Sequence, residues 1–155
     1  MPSGPLTGKA AQSPFGEVLV CGCRQEDVAV LEEVFGRDGP AIRPVDEPAE
    51  MARQVVLRLP LAVFLGLRKR DRARLQIIPV LRAAWRELPV MVVADEASLE
   101  LERRVRQEGI FYYFVHPLGS AEVQAVLKDL LRRAARQTAP RPVAGEDVRK
   151  KRSEP

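Results

Sequence analysis

The chain has 155 residues, of which 46% are hydrophobic and 30% charged, and a formal net charge of +4. This length fits one domain with short tails, and the composition supports both a buried core and a polar surface. No apolar run approaches the roughly 20 residues that a membrane-spanning helix needs. Residues 1–15 lack the apolar core of a signal peptide, so a cytoplasmic location without membrane attachment is expected. Cys21 and Cys23 are too few and too close together to form a disulfide framework.

Short apolar runs alternate with segments of helical periodicity along the middle of the chain. A Pro/Gly/Ser-rich leader, residues 1–15, and a basic tail, residues 138–155, are predicted to be disordered, which leaves a domain of residues 16–137. The predicted strands are residues 18–21, 41–45, 61–67, 90–94 and 110–115. Each is followed by a predicted helix, whose apolar faces include in turn Leu31, Val55, Leu81, Val105 and Val126.

These five strand–helix units define the expected architecture. Fully apolar strands that alternate with helices are typical of a parallel sheet covered on both faces, and right-handed crossovers favour a doubly wound order. Pro44 suits a strand at the sheet edge. Pro79, within the third helical segment, predicts either a helix start or a kink at that point. The predicted fold class is α/β, a three-layer sandwich around a five-stranded parallel sheet.

Residues 109–118, GIFYYFVHPL, resemble the pattern G-A-D-D-Y-L-T-K-P-F of bacterial response-regulator receiver domains. Residues 61–67, LAVFLGL, are similar to the third strand of that family, which usually reads D-L-V-L-L-D-I. Pro89 and Pro117 also fall at the positions that the family would give them. The resemblance covers residues about 17–135, and it implies the strand order 2-1-3-4-5.

The chain departs from this family at each position that carries its phosphotransfer chemistry. By the resemblance, Gly66 stands at the phosphoacceptor aspartate, and Gly22 and Cys23 stand at the acidic pair that holds Mg²⁺. Ala94 replaces the Thr or Ser that contacts the phosphoryl group, and His116 replaces the lysine that pairs with it. Mg²⁺ needs oxygen ligands, which glycine and cysteine side chains do not supply. The resemblance therefore implies a non-enzymatic pseudo-receiver, with no catalytic residue, cofactor or metal, that acts by protein contact in bacterial signalling or regulation.

The degenerate pocket also leaves open an alternative function, a small-ligand sensor. Two cysteines at i and i+2 on a strand are predicted to point to the same face, where Cys21 and Cys23 could bind a soft metal. A zinc site wants about four ligands, and His116 is the only histidine in the chain. Both cysteines are therefore expected to be small buried hydrophobic residues, and His116 is expected to be half-buried and to fill the vacated pocket.

A basic segment follows the third strand and supports another alternative. It carries five cations in seven residues: Arg68, Lys69, Arg70, Arg72 and Arg74. With the basic tail it could bind an anion, an acidic partner or nucleic acid, although no aromatic residues are interleaved to stack bases. Nucleic acid is not favoured as a partner. Arginine outnumbers lysine 20 to 5 over the whole chain, and such an excess can reflect a GC-rich coding bias rather than a binding site. Asp71 and Asp95, near the same sheet edge, are expected to form salt bridges or cap helices.

The partner surface is predicted to comprise Leu99, Tyr112 and Tyr113. The resemblance implies a binding surface in residues 99–126, formed by the fourth helix, the fifth strand and the last helix. Leu99 lies off the core stripe of Leu101 and Val105, so it is expected to be exposed beside whichever tyrosine faces outward. The expected partner is a protein in a signalling or regulatory complex, with a second copy of this chain as one option.

Overall fold

The computed structural model describes residues 16–68 and 72–138. The predicted leader and the predicted tail lie outside the described residues, apart from Thr138. Five parallel strands form one sheet in the order β2-β1-β3-β4-β5, which confirms the predicted fold class and strand order. The strands are β1 (Glu17–Cys21), β2 (Ala41–Val45), β3 (Ala62–Leu67), β4 (Val90–Ala94) and β5 (Tyr112–Val115).

Six helices connect and flank these strands. They are α1 (Gln25–Phe35), α2 (Pro48–Leu57), α3 (Arg72–Leu75), α4 (Ile77–Ala84), α5 (Leu99–Gln107) and α6 (Ser120–Thr138). The third predicted helix is thus divided in two, and Pro79 lies in the first turn of α4, where its missing N–H costs no helical hydrogen bond. Helix α5 begins at the N-cap residue Ser98, whose hydroxyl oxygen accepts a hydrogen bond from the N–H of Leu101.

The sheet separates two hydrophobic core clusters. The first core cluster lies between the sheet and α2, α4 and α5, and it contains Met51, Ile78 and Val105. The second core cluster lies between the sheet and α1 and α6, and it contains Leu31 and Val126. Because side chains alternate along each strand, a strand buried on both faces must be apolar at nearly every position. The fully buried strands β1, β3 and β4 meet this requirement, which is the reason that they were readable from the sequence.

The two edges of the sheet are β2 and β5. Pro44 lies in β2, as its missing N–H predicts.

Among the described residues, no helix has both the length and the apolar content needed to cross a bilayer.

Candidate functional site at the carboxyl edge of the sheet

The register of the strands brings the predicted site residues together. Cys21 of β1 is paired with Leu65 of β3, and Leu67 of β3 is paired with Ala94 of β4. Ala94 is paired in turn with Val115 of β5. Because all strands are parallel, the residues at and after their carboxyl ends converge on one edge of the sheet. The converging residues include the five that the resemblance marked: Gly22, Cys23, Gly66, Ala94 and His116.

The backbone of the loop between β1 and α1 occupies the place of a side chain at Gly66. A Cβ atom on Gly66 would meet the carbonyl group of Gly22 and would lie 2.8 Å from the backbone nitrogen of Cys23. Such approaches essentially never occur in proteins, and a backbone segment cannot move aside as the end of a flexible side chain can. Position 66 therefore accepts only glycine in this arrangement of the loop.

Gly22 is restricted for two further reasons. Its φ of +80° lies in the left-handed region that favours glycine. A Cβ atom on Gly22 would also lie 2.7 Å from Nη1 of Arg74, whose guanidinium group extends from α3 to this loop. A carboxylate at position 66 is thus excluded by the surrounding backbone, whereas a carboxylate at position 22 would need a left-handed backbone conformation and a shift of the Arg74 side chain.

Little space is left between these groups. The cavity is about 10 Å³, roughly the volume that one water molecule requires. Its wall includes Leu67, Val93 and Ala94 together with the charged residues Arg24 and Arg68. A phosphoryl group or a nucleotide does not fit in this volume.

The two cysteines lie on different sides of the sheet. Cys21 is fully buried in the first core cluster, whereas Cys23 packs against the second. The prediction that they point to the same face is therefore wrong, because Gly22 ends the strand geometry between them. Burial, followed by the nearby charge of Asp27, raises the pKa of the Cys23 thiol to about 12. A thiol with this pKa stays protonated at neutral pH and is a poor nucleophile and a poor metal ligand.

The site also contains a buried carboxylate, Asp27, which the sequence analysis did not identify. Asp27, on α1, is 1% exposed. Its Oδ2 lies 2.7 Å from Nδ1 of His116, and its Oδ1 accepts a hydrogen bond of 3.0 Å from the backbone N–H of Leu118. Asp27 thereby ties the first turn of α1 to the segment between β5 and α6. The sequence does contain one indication that Asp27 is buried. Asp27 precedes Leu31 and Phe35 at four-residue intervals, so it lies on the face of α1 that packs into the core.

An ion pair at the rim involves the residue that follows β4. Nε of Arg24 donates a hydrogen bond of 2.6 Å to Oδ1 of Asp95. This bond lowers the pKa of Asp95 and raises the pKa of Arg24. The expectation that Asp95 forms a salt bridge is confirmed, while Asp71 lies outside the described residues.

The structure describes only part of the predicted basic segment. Arg68 is exposed and borders the cavity, and Arg74 lies against Gly22. Lys69 and Arg70 lie outside the described residues, and of Arg72 only the backbone, at the start of α3, is described. At least one of the five cations therefore contributes to the closed site rather than to an open loop surface.

The predicted partner surface is only partly exposed. Leu99 is 62% exposed at the start of α5. Tyr113 is 7% exposed and belongs to the first core cluster, so it is the one of the two tyrosines that faces inward, and its place in the predicted partner surface is not supported. The reason is the strand alternation, which turns Tyr113 under α5, where the guanidinium group of Arg106 lies 5.9 Å from the centre of its ring. Tyr112 is half-buried on the other side of β5 and donates a hydrogen bond of 2.7 Å to Oε2 of Glu122.

Solved structures of receiver domains share this fold. A response-regulator receiver domain protein from Clostridium thermocellum matches with a TM-score of 0.66 and 13% identity, covering 79% of this chain and 99% of that chain. A CheY-like receiver domain protein from Methanospirillum hungatei matches with a TM-score of 0.65 and 13% identity, covering 79% and 98%. NtrX from Brucella abortus matches with a TM-score of 0.66 and 16% identity over 79% of this chain, which spans only 28% of NtrX.

These comparisons define the class of the fold and nothing narrower. No protein-family model and no curated protein sequence matches the chain. At 13–16% identity, the similarity to the three structures shows that this chain has the receiver fold. What the chain does with that fold must be argued from its own site.

Proposed function

We propose that the protein is a pseudo-receiver, which acts through contact with a protein partner in bacterial signalling or regulation and is not phosphorylated. One observation carries this proposal: the backbone of Gly22 and Cys23 occupies the place of a side chain at Gly66, the position that the resemblance assigns to the phosphoacceptor. A receiver fold in which this position is filled can still present a surface to a partner. Such a fold has no side chain to which a phosphoryl group could be attached and no space that could hold the group.

The chemistry of the surrounding residues supports the same conclusion. Within residues 16–68 and 72–138, no group of three or more His, Cys, Asp or Glu side chains is placed to hold a metal ion. The two carboxylates at the cavity, Asp27 and Asp95, are engaged by His116 and Arg24. Phosphoryl transfer in proteins depends on metal ions or cations that neutralise the developing charge beside an available acceptor. Neither an available acceptor nor a group of metal ligands is found among the described residues of this site.

The small-ligand alternative finds little support in the geometry. Ligand pockets are commonly several hundred Å³ in volume, whereas this cavity is about 10 Å³. Arg24 and Asp95, which form an ion pair, are part of the cavity wall, and the side chain of Arg74 lies against Gly22 next to it. We therefore retain protein contact as the proposed function and treat ligand binding as an outcome that the experiments below would reveal.

The α5–β5 surface is the proposed partner surface, and we define it as Leu99, Tyr112 and the charged residues on the outer face of α5. Leu99 is an exposed apolar residue among Glu100, Arg103 and Arg104, an arrangement that fits an apolar contact with a polar rim. Strand β5 is an edge strand, and such strands have backbone groups available for pairing unless they are covered.

Phosphorylation is tested first. The purified protein is incubated with acetyl phosphate and Mg²⁺, and its intact mass is measured, beside a receiver domain that retains its aspartate. We expect no gain of a phosphoryl group on this chain under conditions that modify the control. An acid-labile phosphoryl adduct would refute the proposal.

Partner contact is tested by capture from the native cell extract with the full chain as bait. Leu99→Ala and Tyr112→Ala are compared with Val80→Ala, which removes an apolar side chain of similar exposure from α4. Because truncating an aromatic contact residue at an interface typically costs about 2 kcal/mol or more, we expect Tyr112→Ala to reduce capture strongly. Equal capture by all three variants and the parent would mean that the partner binds elsewhere.

A further inference from the structure

Helices α1 and α6 pack side by side on one face of the sheet and carry charge of opposite sign. Between Gln25 and Phe35, α1 has four acidic residues and no basic one. Helix α6 has four basic residues and two acidic ones. The acidic residues of α1 are Glu26, Asp27, Glu32 and Glu33, and the basic residues of α6 are Lys128, Arg132, Arg133 and Arg136.

The acidic charge of α1 faces outward except at one position. Asp27 is buried in the site, whereas Glu26, Glu32 and Glu33 are exposed around the exposed Ala29. A small residue at the centre of such a face lets another backbone approach closely. The outer face of α1 therefore presents three carboxylates around a flat centre.

The basic charge of α6 forms a stripe. Lys128, Arg132 and Arg136 are exposed and follow one another at four-residue intervals, so that neighbours lie about 6 Å apart along one side of the helix. Arg132 lies 3.6 Å from Asp129, but its side chain is still 66% exposed. Arg133 is turned away from this stripe and bonds to Glu87.

The acidic outer face of α1 and the basic stripe of α6 belong to one continuous surface. Because α1 and α6 each follow a strand of the same parallel sheet, they run in the same direction and lie next to each other. No ion pair joins α1 to α6 within the part of the chain that the structure describes. We define the α1–α6 surface as Glu26, Ala29, Glu32, Glu33, Lys128 and Arg132.

We propose that the α1–α6 surface binds a second copy of this chain across a two-fold axis, with α1 of each copy facing α6 of the other. In such a contact each acidic–basic pairing occurs twice, because the same patch serves on both subunits. The charge pattern selects this occupant. A nucleic acid or another polyanion on the basic stripe would be repelled by the carboxylates beside it, and a cationic partner on α1 would be repelled by α6. A surface that carries both signs side by side is complementary to itself.

This inference is independent of the pseudo-receiver proposal, and it uses a different surface from the α5–β5 surface. The first measurement is sedimentation velocity of the full chain from micromolar to millimolar concentration, at low and at high salt. We expect a monomer–dimer equilibrium that weakens as salt increases, since exposed charge pairs are screened. A chain that stays monomeric at millimolar concentration and low salt would overturn the proposal.

The decisive measurement mixes two charge-reversed variants. The first carries Glu32→Lys and Glu33→Lys, and the second carries Lys128→Glu and Arg132→Glu. Each variant alone places like charges opposite one another and should dimerise about tenfold or more weaker than the parent. An equimolar mixture restores attraction at both contacts, so we expect a heterodimer at concentrations where each variant alone is monomeric. A mixture that stays monomeric, while both variants melt like the parent, would overturn the proposal.

A matched control changes charge elsewhere. Arg53→Glu with Arg58→Glu, at exposed positions on and directly after α2, makes the same change in net charge as Lys128→Glu with Arg132→Glu, and we expect it to leave the dimer intact. Should either reversed variant fail to fold, the neutral variants Glu33→Gln and Lys128→Gln must each weaken the dimer. Unchanged dimers in both would refute the proposal. A monomeric parent that is retained on heparin, with retention lost in Lys128→Glu with Arg132→Glu, would instead assign the basic stripe to polyanion binding and would also refute the proposal.

Discussion

The two halves of the carboxyl edge are closed by different means. On the side of β1 and β3, backbone fills the site, because the loop at Gly22 and Cys23 lies directly against Gly66. On the side of β4 and β5, side chains fill it, through the contacts of Asp27 with His116 and of Arg24 with Asp95. A backbone contact leaves no room for any side chain, whereas a polar contact can be removed or titrated one group at a time. The two halves should therefore respond very differently to substitution and to pH.

The largest loss of stability is expected when a single methyl group is added at Gly66, on the side of β1 and β3 that backbone fills. Gly66→Ala should destabilise the protein by about 3 kcal/mol or more, since overpacking against backbone forces the chain to move. Gly119→Ala is the matched control, because a Cβ atom there meets nothing within 4 Å. Urea unfolding of both variants measures the difference. Equal stabilities would show that the loop moves aside easily and that the site can open.

Gly66→Asp extends this test to function. The variant introduces a carboxylate at the position that the resemblance assigns to the acceptor, but the same backbone atoms oppose it, and Gly22 and Cys23 still provide no side-chain ligand for Mg²⁺. We expect loss of stability and no phosphorylation by acetyl phosphate. A stable variant that accepts a phosphoryl group would overturn the distinction between the two halves.

Removal of the buried carboxylate should give the next largest effect. Asp27→Ala leaves the N–H of Leu118 without its acceptor and His116 without its partner, which should cost about 2–3 kcal/mol. His116→Ala should cost only about 1 kcal/mol, because the bond to Leu118 remains. The exposed neighbour change Glu26→Ala should stay within about 0.5 kcal/mol. Thermal or urea unfolding ranks the three, and a different order would contradict the proposed network.

The pH dependence of stability should distinguish Cys23 from the polar half. Folding raises the pKa of the Cys23 thiol from 9.0 to about 12. Between these two values the thiol is ionised in the unfolded chain but protonated in the folded one. This group therefore stabilises the fold fully below pH 9, and that contribution is lost as the pH rises toward 12. Cys23→Ala should unfold with a weaker alkaline dependence than the parent. Parallel alkaline profiles for the two proteins would show that the thiol is not shielded from water.

The smallest effect is expected at the rim. Arg24 lowers the pKa of Asp95, so the ion pair stabilises the fold above the usual pKa of a free aspartate, and this contribution disappears as the pH falls through the lowered value. Asp95→Asn should be slightly less stable than the parent at pH 7 and equal to it in acid. High salt should reduce the difference, because the pair is exposed. A difference that persists in acid would have to arise from something other than charge.

The elements of the fold were predictable because each one repeats a local pattern. The apolar strands of residues 62–67 and 90–94 and the helical spacing of Leu31 and Phe35 show burial over a few residues at a time. Strand five was predicted two residues too long at its start, since Ile110 and Phe111 are apolar without belonging to β5. Burial of a residue and its membership of a strand are separate properties, and the sequence reports the first more directly.

The sequence by itself determined that this chain forms a parallel α/β sheet, because residue types and their spacing along the chain predict each strand and helix. The resemblance to receiver domains added the prediction that Gly66 stands at the phosphoacceptor position. Only the tertiary structure decided that backbone closes the site against Gly66, that Tyr113 is turned inward, and that Asp27 reaches His116, 89 residues away. It also placed the carboxylates of α1 beside the cations of α6. Such contacts join segments that are far apart in the sequence, and their partners are set by strand register and helix packing, which no local pattern contains.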